Sequence, residues 1–223
     1  MQKLKLLKKL YLYKYLGYEY FEEQFSQSEN EIDHLPNSIN KLQNVVGSCN
    51  LCSLSKTRKN VVFGEGNHNS KIIFIGEGPG MNEDNRGRPF VGKAGELLTK
   101  IIQNVLEIKR EEIYIANIVK CRPPNNRVPM KEEANLCIPY LFKQIELIKP
   151  KILVTLGATA YKYLINDLNA SITRVRGEVQ QFDGMTLIPT FHPSYLLRNP
   201  SAKKDVFIDF LKIKKILGEI NDK

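Results

Sequence analysis

Residues 72–95 constrain the fold most, because they combine a strand, a glycine-rich turn and the start of a helix. Residues 72–75 are β-branched or aromatic, which predicts a short buried strand. Residues 76–80 contain three glycines and a proline, which continue neither a strand nor a helix and predict a tight turn. From Gly92 onward apolar residues recur at helical spacing. A strand–loop–helix unit places its loop at the carboxyl end of a sheet, where open α/β folds bind ligands.

Two nucleotide-binding motifs nearly match this stretch, and each fails at one residue. Residues 87–93 have the spacing of a phosphate-binding loop, but Ala94 stands where that loop needs Ser or Thr to hold magnesium. Residues 76–78 begin like a dinucleotide-binding fingerprint, but Met81 replaces its third glycine. A nucleotide hydrolase is therefore the weakest functional hypothesis. Taken alone, the stretch is equally well explained as a glycine-rich turn with surface charges.

Apolar runs that predict strands alternate with helical patterns along the chain. The core strand candidates are residues 72–75, 113–119, 151–156 and 186–191, and a last helix is predicted over residues 203–219. Alternating strands and helices favour a parallel sheet with helices on both faces, which is an α/β fold. Pro139 interrupts the helical pattern that begins at Lys131, so a kink or restart is expected there.

The first 40 residues differ in charge from the rest of the chain. They carry five lysines and six acidic residues, whereas the remaining residues carry 28 basic and 18 acidic ones. Residues 1–40 are interpreted as an accessory amphipathic helix followed by a polar linker, and residues 41–223 as the main domain. The basic excess of the main domain favours a polyanionic partner.

The apolar runs of the chain are short. None approaches the ~20 residues of a membrane span, and lysines interrupt the apolar residues near the N-terminus where a signal peptide has a continuous apolar core. The sequence therefore predicts a cytoplasmic protein without a membrane span. A monomer is expected.

The four cysteines have a spacing typical of a metal centre. They are Cys49, Cys52, Cys121 and Cys137. The C-x2-C pair can hold one centre from a single turn, and the two distant cysteines can close the site. Disulfides and free buried cysteines are the alternatives, but the reduced cytosol disfavours the first and the paired spacing disfavours the second. The spacing does not distinguish zinc from a [4Fe–4S] cluster.

The strings GEGPG, ED and GRPFVGKAG within residues 76–95 resemble the first signature of the family 4 uracil-DNA glycosylases. The string FHPSYLLR at residues 191–198 is similar to the second signature of that family, a histidine loop near the C-terminus. The family also uses four cysteines for an iron–sulfur cluster. The resemblance spans residues 41–218.

This resemblance implies a three-layer α/β/α sandwich with a central four-stranded parallel sheet. It also implies a structural [4Fe–4S] cluster on the four cysteines. The implied activity is DNA repair: hydrolysis of the N-glycosidic bond of uracil in single- and double-stranded DNA, which leaves an abasic site.

The resemblance further implies a uracil-binding site built from the motif residues. Phe90 is the expected stacking face for a flipped-out uracil, and Asn117 is the expected reader of its edge through O4 and N3–H. His192 would donate a hydrogen bond to uracil O2 as negative charge develops there. Gly78 lets the backbone approach the base or a phosphate closely.

Two acidic residues of the motif are candidates for the catalytic carboxylate, Glu77 and Glu83. A glycosylase needs an acid that positions water and stabilises positive charge on the sugar. Both residues occupy acidic positions of the family motif, and Glu77 is favoured slightly because it follows the strand end directly.

The loop after the histidine is expected to enter the DNA. Its expected DNA contacts are Ser194, Leu196, Leu197 and Arg198. One of the two leucines would wedge into the base stack, and the arginine would hold phosphates. The main alternative function is a non-catalytic iron–sulfur or zinc DNA-binding module associated with DNA replication, which would need the cysteines and the positive charge but not the catalytic residues.

Overall fold

A six-stranded sheet forms the centre of the protein, whose computed structural model describes residues 35–221. The strands are β1 (Glu65–Gly66), β2 (Ile72–Gly76), β3 (Tyr114–Asn117), β4 (Ile152–Leu156), β5 (Gln180–Phe182) and β6 (Met185–Thr190). In the order β1-β3-β2-β4-β6-β5, the four central strands are parallel, and β1 and β5 add to the edges in antiparallel orientation. The predicted four-stranded parallel core is confirmed, within a larger sheet.

Helices cover both faces of this sheet. They are α1 (Ile39–Gly47), α2 (Met81–Arg86), α3 (Lys93–Ile101), α4 (Lys131–Ile148), α5 (Ala158–Leu164), α6 (Ile172–Val175), α7 (Pro193–Arg198) and α8 (Lys203–Asn221). On one face, α3 and α8 contribute Leu98, Phe210 and Ile213 to the main hydrophobic core. On the other, α5 packs against β2 and β4 and contacts α4, which in turn contacts α1. The predicted three-layer α/β/α sandwich is confirmed.

The central strands are apolar without alternation because both faces of the sheet are covered. All five residues of β2 and all five of β4 are buried. Successive side chains of a strand point to opposite faces, so Ile72 and Phe74 join the core under α8 while Ile73 and Ile75 face the other layer. Strands that are buried on both sides lose the polar alternation of a half-exposed strand.

The predicted restart at Pro139 is wrong, because α4 continues through this residue as one helix of 18 residues. Proline removes one intrahelical hydrogen bond, and the carbonyl that loses its partner belongs to Asn135. Asn135 is exposed, so water can replace the missing donor. The buried residues of α4, among them Leu141 and Ile145, hold the helix together on its inner face.

The chain divides after Pro36, and all described helices and strands belong to the unit Asn37–Lys223. The accessory helix predicted for the N-terminal region, and most of the linker, lie outside the described residues, so that interpretation stays a prediction. Across residues 35–221, no helix combines the length and the apolar character that a membrane span requires.

The parallel strands end at a common edge, and this edge positions the site. Gly76 of β2 is paired with Asn117 of β3, and Leu156 of β4 with Thr190 of β6. The segments that leave these four strand ends therefore start side by side. Open α/β sheets bind ligands at this carboxyl edge.

Candidate active site

A cavity of about 590 Å³ opens at the carboxyl edge of the sheet. This volume suits a small ligand such as a nucleobase. The cavity brings together eight of the residues that the sequence predicts for uracil or DNA, namely Glu77, Gly78, Glu83, Phe90, Asn117, His192, Ser194 and Arg198. They come from the ends of three different strands and from the loops that follow.

Asn117 presents an unsatisfied acceptor at this cavity. Its side chain is only 2% exposed, and its Oδ1 atom has no hydrogen-bond partner within the described part of the chain. A buried polar atom without a partner costs about 1–3 kcal/mol, so a ligand donor at this position would recover that free energy. The backbone of Gly76 makes room for this arrangement, because a β-carbon there would collide with Asn117 Oδ1 and lie 2.6 Å from Cζ of Phe90.

Phe90 and His192 form an aromatic pair in the same cavity. Their ring centroids are 5.6 Å apart, and the ring planes are inclined by 34°. Phe90 is 7% exposed and has a left-handed backbone with φ of 51°, an uncommon conformation for a bulky residue. The surrounding structure thus holds the Phe90 ring at a defined position beside the unsatisfied amide.

The ring of His192 is held in one orientation by the start of α7. The backbone N–H of Ser194 donates to His192 Nδ1 at 3.1 Å, and Ser194 Oγ lies 2.7 Å from the same atom. Since Nδ1 accepts, the neutral ring carries its proton on Nε2. Burial, together with the nearby charge of Arg198, lowers the pKa of His192 to about 4, although the carboxylate of Glu83 acts in the opposite direction. His192 is therefore a neutral hydrogen-bond donor near pH 7.

Gly157 makes room for His192 from the neighbouring strand end. It follows β4 and has φ of +91°, a conformation that side chains rarely adopt. A β-carbon at Gly157 would lie 2.9 Å from Cβ of His192, closer than such atoms approach. The strand–turn–helix junction after β4 thus lets the histidine reach the sheet edge.

The two candidate carboxylates have different surroundings. Glu83 Oε1 accepts hydrogen bonds from the backbone N–H groups of Val91 and Gly92, at 3.0 and 2.9 Å. Glu83 thereby ties α2 to the start of α3. Burial raises the pKa of Glu77, and a hydrogen bond from the Thr159 hydroxyl lowers it in part. A partly buried carboxyl with a raised pKa suits proton exchange with water.

The two leucines of the histidine loop are placed differently. Leu196 is 1% exposed and belongs to the hydrophobic core, whereas Leu197 is 46% exposed. The DNA contact predicted for Leu196 does not fit this placement, because α7 turns that side chain into the hydrophobic core. Leu197 remains available at the surface.

Sequence reasoning missed one wall of the cavity. The loop after Cys121 contributes Pro123, Asn126, Arg127 and Val128, and α7 contributes Tyr195. The proline-rich composition of this loop predicts irregular backbone, but nothing local indicates that it folds over the sheet edge. Thr159, which bonds to Glu77, was missed for the same reason.

The four cysteines line a second, separate cavity. All four are free thiols. Three of the sulfur atoms accept hydrogen bonds: Cys121 from Arg58 Nη1 at 3.2 Å, Cys137 from the backbone N–H of Lys120 at 3.3 Å, and Cys49 from the Tyr140 hydroxyl at 3.5 Å. Hydrogen bonds to sulfur accompany thiolates that bind metals.

The four thiols reach this cavity from two distant stretches of the chain. Within residues 35–221, no group of three or more His, Cys, Asp or Glu side chains is arranged to hold a metal ion. An iron–sulfur cluster takes one thiolate at each iron, so its ligands lie further apart than those around one ion. The convergence of four thiols on one cavity is consistent with such a cluster.

The comparisons with known proteins agree with this arrangement. Residues 63–213 match the uracil DNA glycosylase superfamily, and the chain belongs to it. Within that class, the chain is similar to three proteins named type-4 uracil-DNA glycosylase, and it belongs to the type-4 family.

The most similar of these three relatives comes from Thermotoga maritima. It is 50% identical over 175 residues, which is 77% of this chain and 91% of the relative. The relative from Sulfurisphaera tokodaii is 46% identical over 186 residues, covering 80% and 84%, and the relative from Saccharolobus solfataricus is 45% identical over 188 residues, covering 81% and 87%.

Proposed function

We propose that the protein is a DNA repair glycosylase that hydrolyses the N-glycosidic bond of flipped-out uracil in DNA. The observation that carries this proposal is the unsatisfied Oδ1 of Asn117, buried beside Phe90 and His192 in a cavity of nucleobase size. The names of the similar proteins support the same reaction. A non-catalytic DNA-binding module would have no use for a carboxylate, a neutral imidazole and an incomplete amide around one cavity.

Base recognition follows from the donors and acceptors of uracil. The N3–H group of uracil would donate to Asn117 Oδ1, and the Asn117 amide nitrogen would donate to O4. Phe90 would stack on the base, since aromatic faces bind nucleobases with about 1–3 kcal/mol. The neutral His192 would donate from Nε2 to O2. The backbone at Gly78, which lines the cavity, would lie against the base or its phosphate.

Bond cleavage needs a water molecule, a leaving anion and a proton acceptor. As the bond between C1′ and N1 breaks, the electron pair goes to N1 and O2 of uracil, and the hydrogen bond from His192 strengthens. Glu77 would stabilise the positive sugar, position water at C1′, and accept the proton of the water as the C1′–O bond forms. Glu83 would act through the backbone it ties rather than on water.

The histidine loop would contact the DNA around the extruded nucleotide. Leu197 is exposed beside the cavity-lining residues of α7, so it is the leucine that could fill the gap left in the stack. Ser194 and the exposed Arg198 line the cavity and would bind phosphates next to the target. Flipping costs a few kcal/mol, which these contacts would offset.

We also propose that the four cysteines hold a [4Fe–4S] cluster. The cluster would supply structural cross-linking: it would join the segment after α1 to the segment after β3 and to α4. The residues on this chain that would hold it are Cys49, Cys52, Cys121 and Cys137. Protein purified anaerobically should contain about four irons per chain. One zinc and no iron in such a preparation would overturn the cluster assignment.

The test of the function is a uracil-release assay on the full chain. Single-stranded and duplex oligonucleotides with one uracil are incubated with wild type, and free uracil and abasic sites are measured. Glu77→Gln should abolish most of the release, whereas Glu178→Gln, an exposed glutamate outside the cavity, should leave it unchanged. No release by cluster-loaded wild type on either substrate would refute the proposal. The monomeric state and the cytoplasmic location stay predictions.

A further inference from the structure

The loop of residues 122–130, here called the wall loop, lies between the two cavities. It follows Cys121, lines the nucleobase cavity, and leads into α4, which carries Cys137. Two of its residues, Asn125 and Asn126, have left-handed backbone with φ of 55° and 54°. Asparagine tolerates this conformation, and the loop has backbone hydrogen bonds of its own from Asn126 N–H to the Pro123 carbonyl and from Arg127 N–H to the Pro124 carbonyl. Contacts outside the loop decide how it is held against the rest of the protein.

Glu133, in the first turn of α4, provides such contacts. Its side chain is 2% exposed, and both carboxylate oxygens are used. Oε2 accepts from Arg127 Nη1 at 2.8 Å and from the backbone N–H of Met130 at 2.9 Å. Oε1 accepts from Arg127 Nη2 at 2.7 Å. A bidentate arginine–carboxylate pair fixes both the distance and the relative orientation of the two side chains.

The same carboxylate reaches the segment that bears the first two cysteines. Glu133 Oε1 also accepts a hydrogen bond of 2.9 Å from the hydroxyl of Ser53, the residue after Cys52. Glu133 and Cys137 lie one turn apart on α4, and both are buried. One side chain thus contacts the C-x2-C segment, the wall loop and the helix that carries the fourth cysteine.

We propose that Glu133 is a positioning residue that clasps the wall loop to the cysteine-bearing segment, so that an intact cysteine site keeps the wall of the nucleobase cavity in place. This inference rests on the proposed function only in naming the ligand of that cavity. The positioning role itself does not depend on the proposed function, because the four hydrogen bonds of Glu133 join the cysteine-bearing segment to the wall loop whatever ligand binds.

The clasp also explains the placement of Arg127. This arginine lines the nucleobase cavity and is 37% exposed, but its guanidinium is turned toward Glu133. A free arginine at this place would be a phosphate-binding group. Because its charge is already paired, Arg127 holds the wall loop while the exposed Val128 and Asn126 form the rim of the cavity.

Hydrogen exchange on the anaerobically purified full chain tests the clasp. The variants are Glu133→Gln, Ser53→Ala and the control Glu132→Gln, whose parent residue is the exposed neighbour on the same helix. In Glu133→Gln, amide exchange across residues 122–130 should rise about tenfold or more, because the charged pair with Arg127 is lost. Ser53→Ala should raise it less, by about threefold. Glu132→Gln should match wild type.

Iron content is measured on each preparation, so that only cluster-loaded protein is compared. Unchanged exchange of residues 122–130 in iron-loaded Glu133→Gln would overturn the proposal. Were Glu133→Gln unable to fold, Ser53→Ala gives the same comparison in a milder form, since it keeps the carboxylate and Arg127. Unchanged exchange in Ser53→Ala would then refute the link to the cysteine segment.

Kinetics separate positioning from chemistry. In single-turnover uracil release, Glu133→Gln should raise the half-saturating DNA concentration about tenfold and lower the rate at saturation less than threefold. The reverse pattern would overturn the positioning role. If wild type releases no uracil, the proposed function fails by itself, and the exchange measurement still decides whether the clasp exists.

Discussion

Two buried carboxamides near β3 have opposite hydrogen-bonding states. Gln144 on α4 is fully buried, and its Oε1 accepts from Lys120 Nζ at 2.6 Å, while its Nε2 donates to the carbonyl of Phe63 and the hydroxyl of Tyr114. Asn117, the last residue of β3, is 2% exposed and leaves Oδ1 without a partner in the described structure. Both polar atoms of the Gln144 carboxamide have hydrogen-bond partners, whereas the oxygen of the Asn117 carboxamide has none in the described structure.

This difference separates a structural amide from the amide that we propose reads the base. A polar network inside a core stabilises the fold only when its members are satisfied, which is the state of Gln144. A buried amide oxygen without a hydrogen-bond donor costs free energy unless a bound ligand supplies that donor. Lys120 links the two regions, because its ammonium group donates to Gln144 and to the backbone carbonyl of Asn117. The backbone carbonyl of Asn117 is thus bonded, while its Oδ1 has no partner within the part of the chain that the structure describes.

The largest expected effect is on the structural side of the comparison. Gln144→Leu should lower the free energy of unfolding by about 3 kcal/mol, since the buried ammonium group of Lys120 loses one of its two acceptors and the carbonyl of Phe63 loses its side-chain donor. For a chain of this size that corresponds to a loss of roughly 6–12 °C in the melting temperature. Thermal unfolding of iron-loaded protein measures it.

The activity of Gln144→Leu below its melting temperature sharpens the contrast. Uracil release at saturating DNA should stay within about threefold of wild type, because Gln144 does not reach the nucleobase cavity. A variant that melts like wild type, or that is stable and inactive, would show that the two amides do not divide the roles in this way.

The next effect is on the functional side. Asn117→Asp should slow uracil release at least roughly tenfold, a barrier increase of about 1.4 kcal/mol. A carboxylate can accept from N3–H, but it faces O4 and the developing uracil anion with lone pairs. Single-turnover release from matched uracil and cytosine oligonucleotides measures the loss, and a protonated Asp at this position suits cytosine better.

Asn117→Ala provides the stability control for that comparison. Among residues 35–221 no hydrogen bond to Oδ1 is lost, so the melting temperature should stay within about 3 °C of wild type. Unchanged uracil release by Asn117→Asp would mean that Asn117 does not read the base edge. A large drop in melting temperature for Asn117→Ala would make Asn117 a structural amide like Gln144.

A smaller effect on uracil release is expected where the same contrast recurs in adjacent leucines. Leu196→Ala removes a core side chain and should cost about 2–5 kcal/mol of stability. Leu197→Ala removes an exposed one, so stability should hold while release from duplex falls about threefold more than release from single strands. Equal losses on both substrates would remove the wedge role of Leu197.

The smallest expected effect concerns pH. In the proposed mechanism Glu77 acts as the carboxylate, so release should fall as pH decreases through the pKa of Glu77, which burial raises above 4.5. The hydrogen bond from Thr159 lowers this pKa, so Thr159→Val should raise it and move the acid limb to higher pH. Rates on the plateau at higher pH should not change. Thr173→Val, at an exposed threonine, is the control. A shift to lower pH, or none, would contradict the assignment of Glu77.

Local patterns in the sequence were sufficient to predict the four core strands. Residues 72–76 and 152–156 are buried on both sides, so they read as continuous apolar runs that need no distant information. The string of residues 76–95 and the HPSYLLR loop likewise identified the cavity residues, because short motifs hold the ligand-facing backbone. Those predictions used only neighbours in the chain.

What the sequence by itself determined was therefore the α/β alternation, the family and most of the residues at the sheet edge. Only the tertiary structure decided that Leu196 faces the core and Leu197 the surface, that Glu83 ties two helices, and that Glu133 joins two distant loops. Ser53 and Glu133 are 80 residues apart. Such contacts depend on which helices, strands and loops pack together in the folded protein, and a local pattern of residue types does not predict that packing.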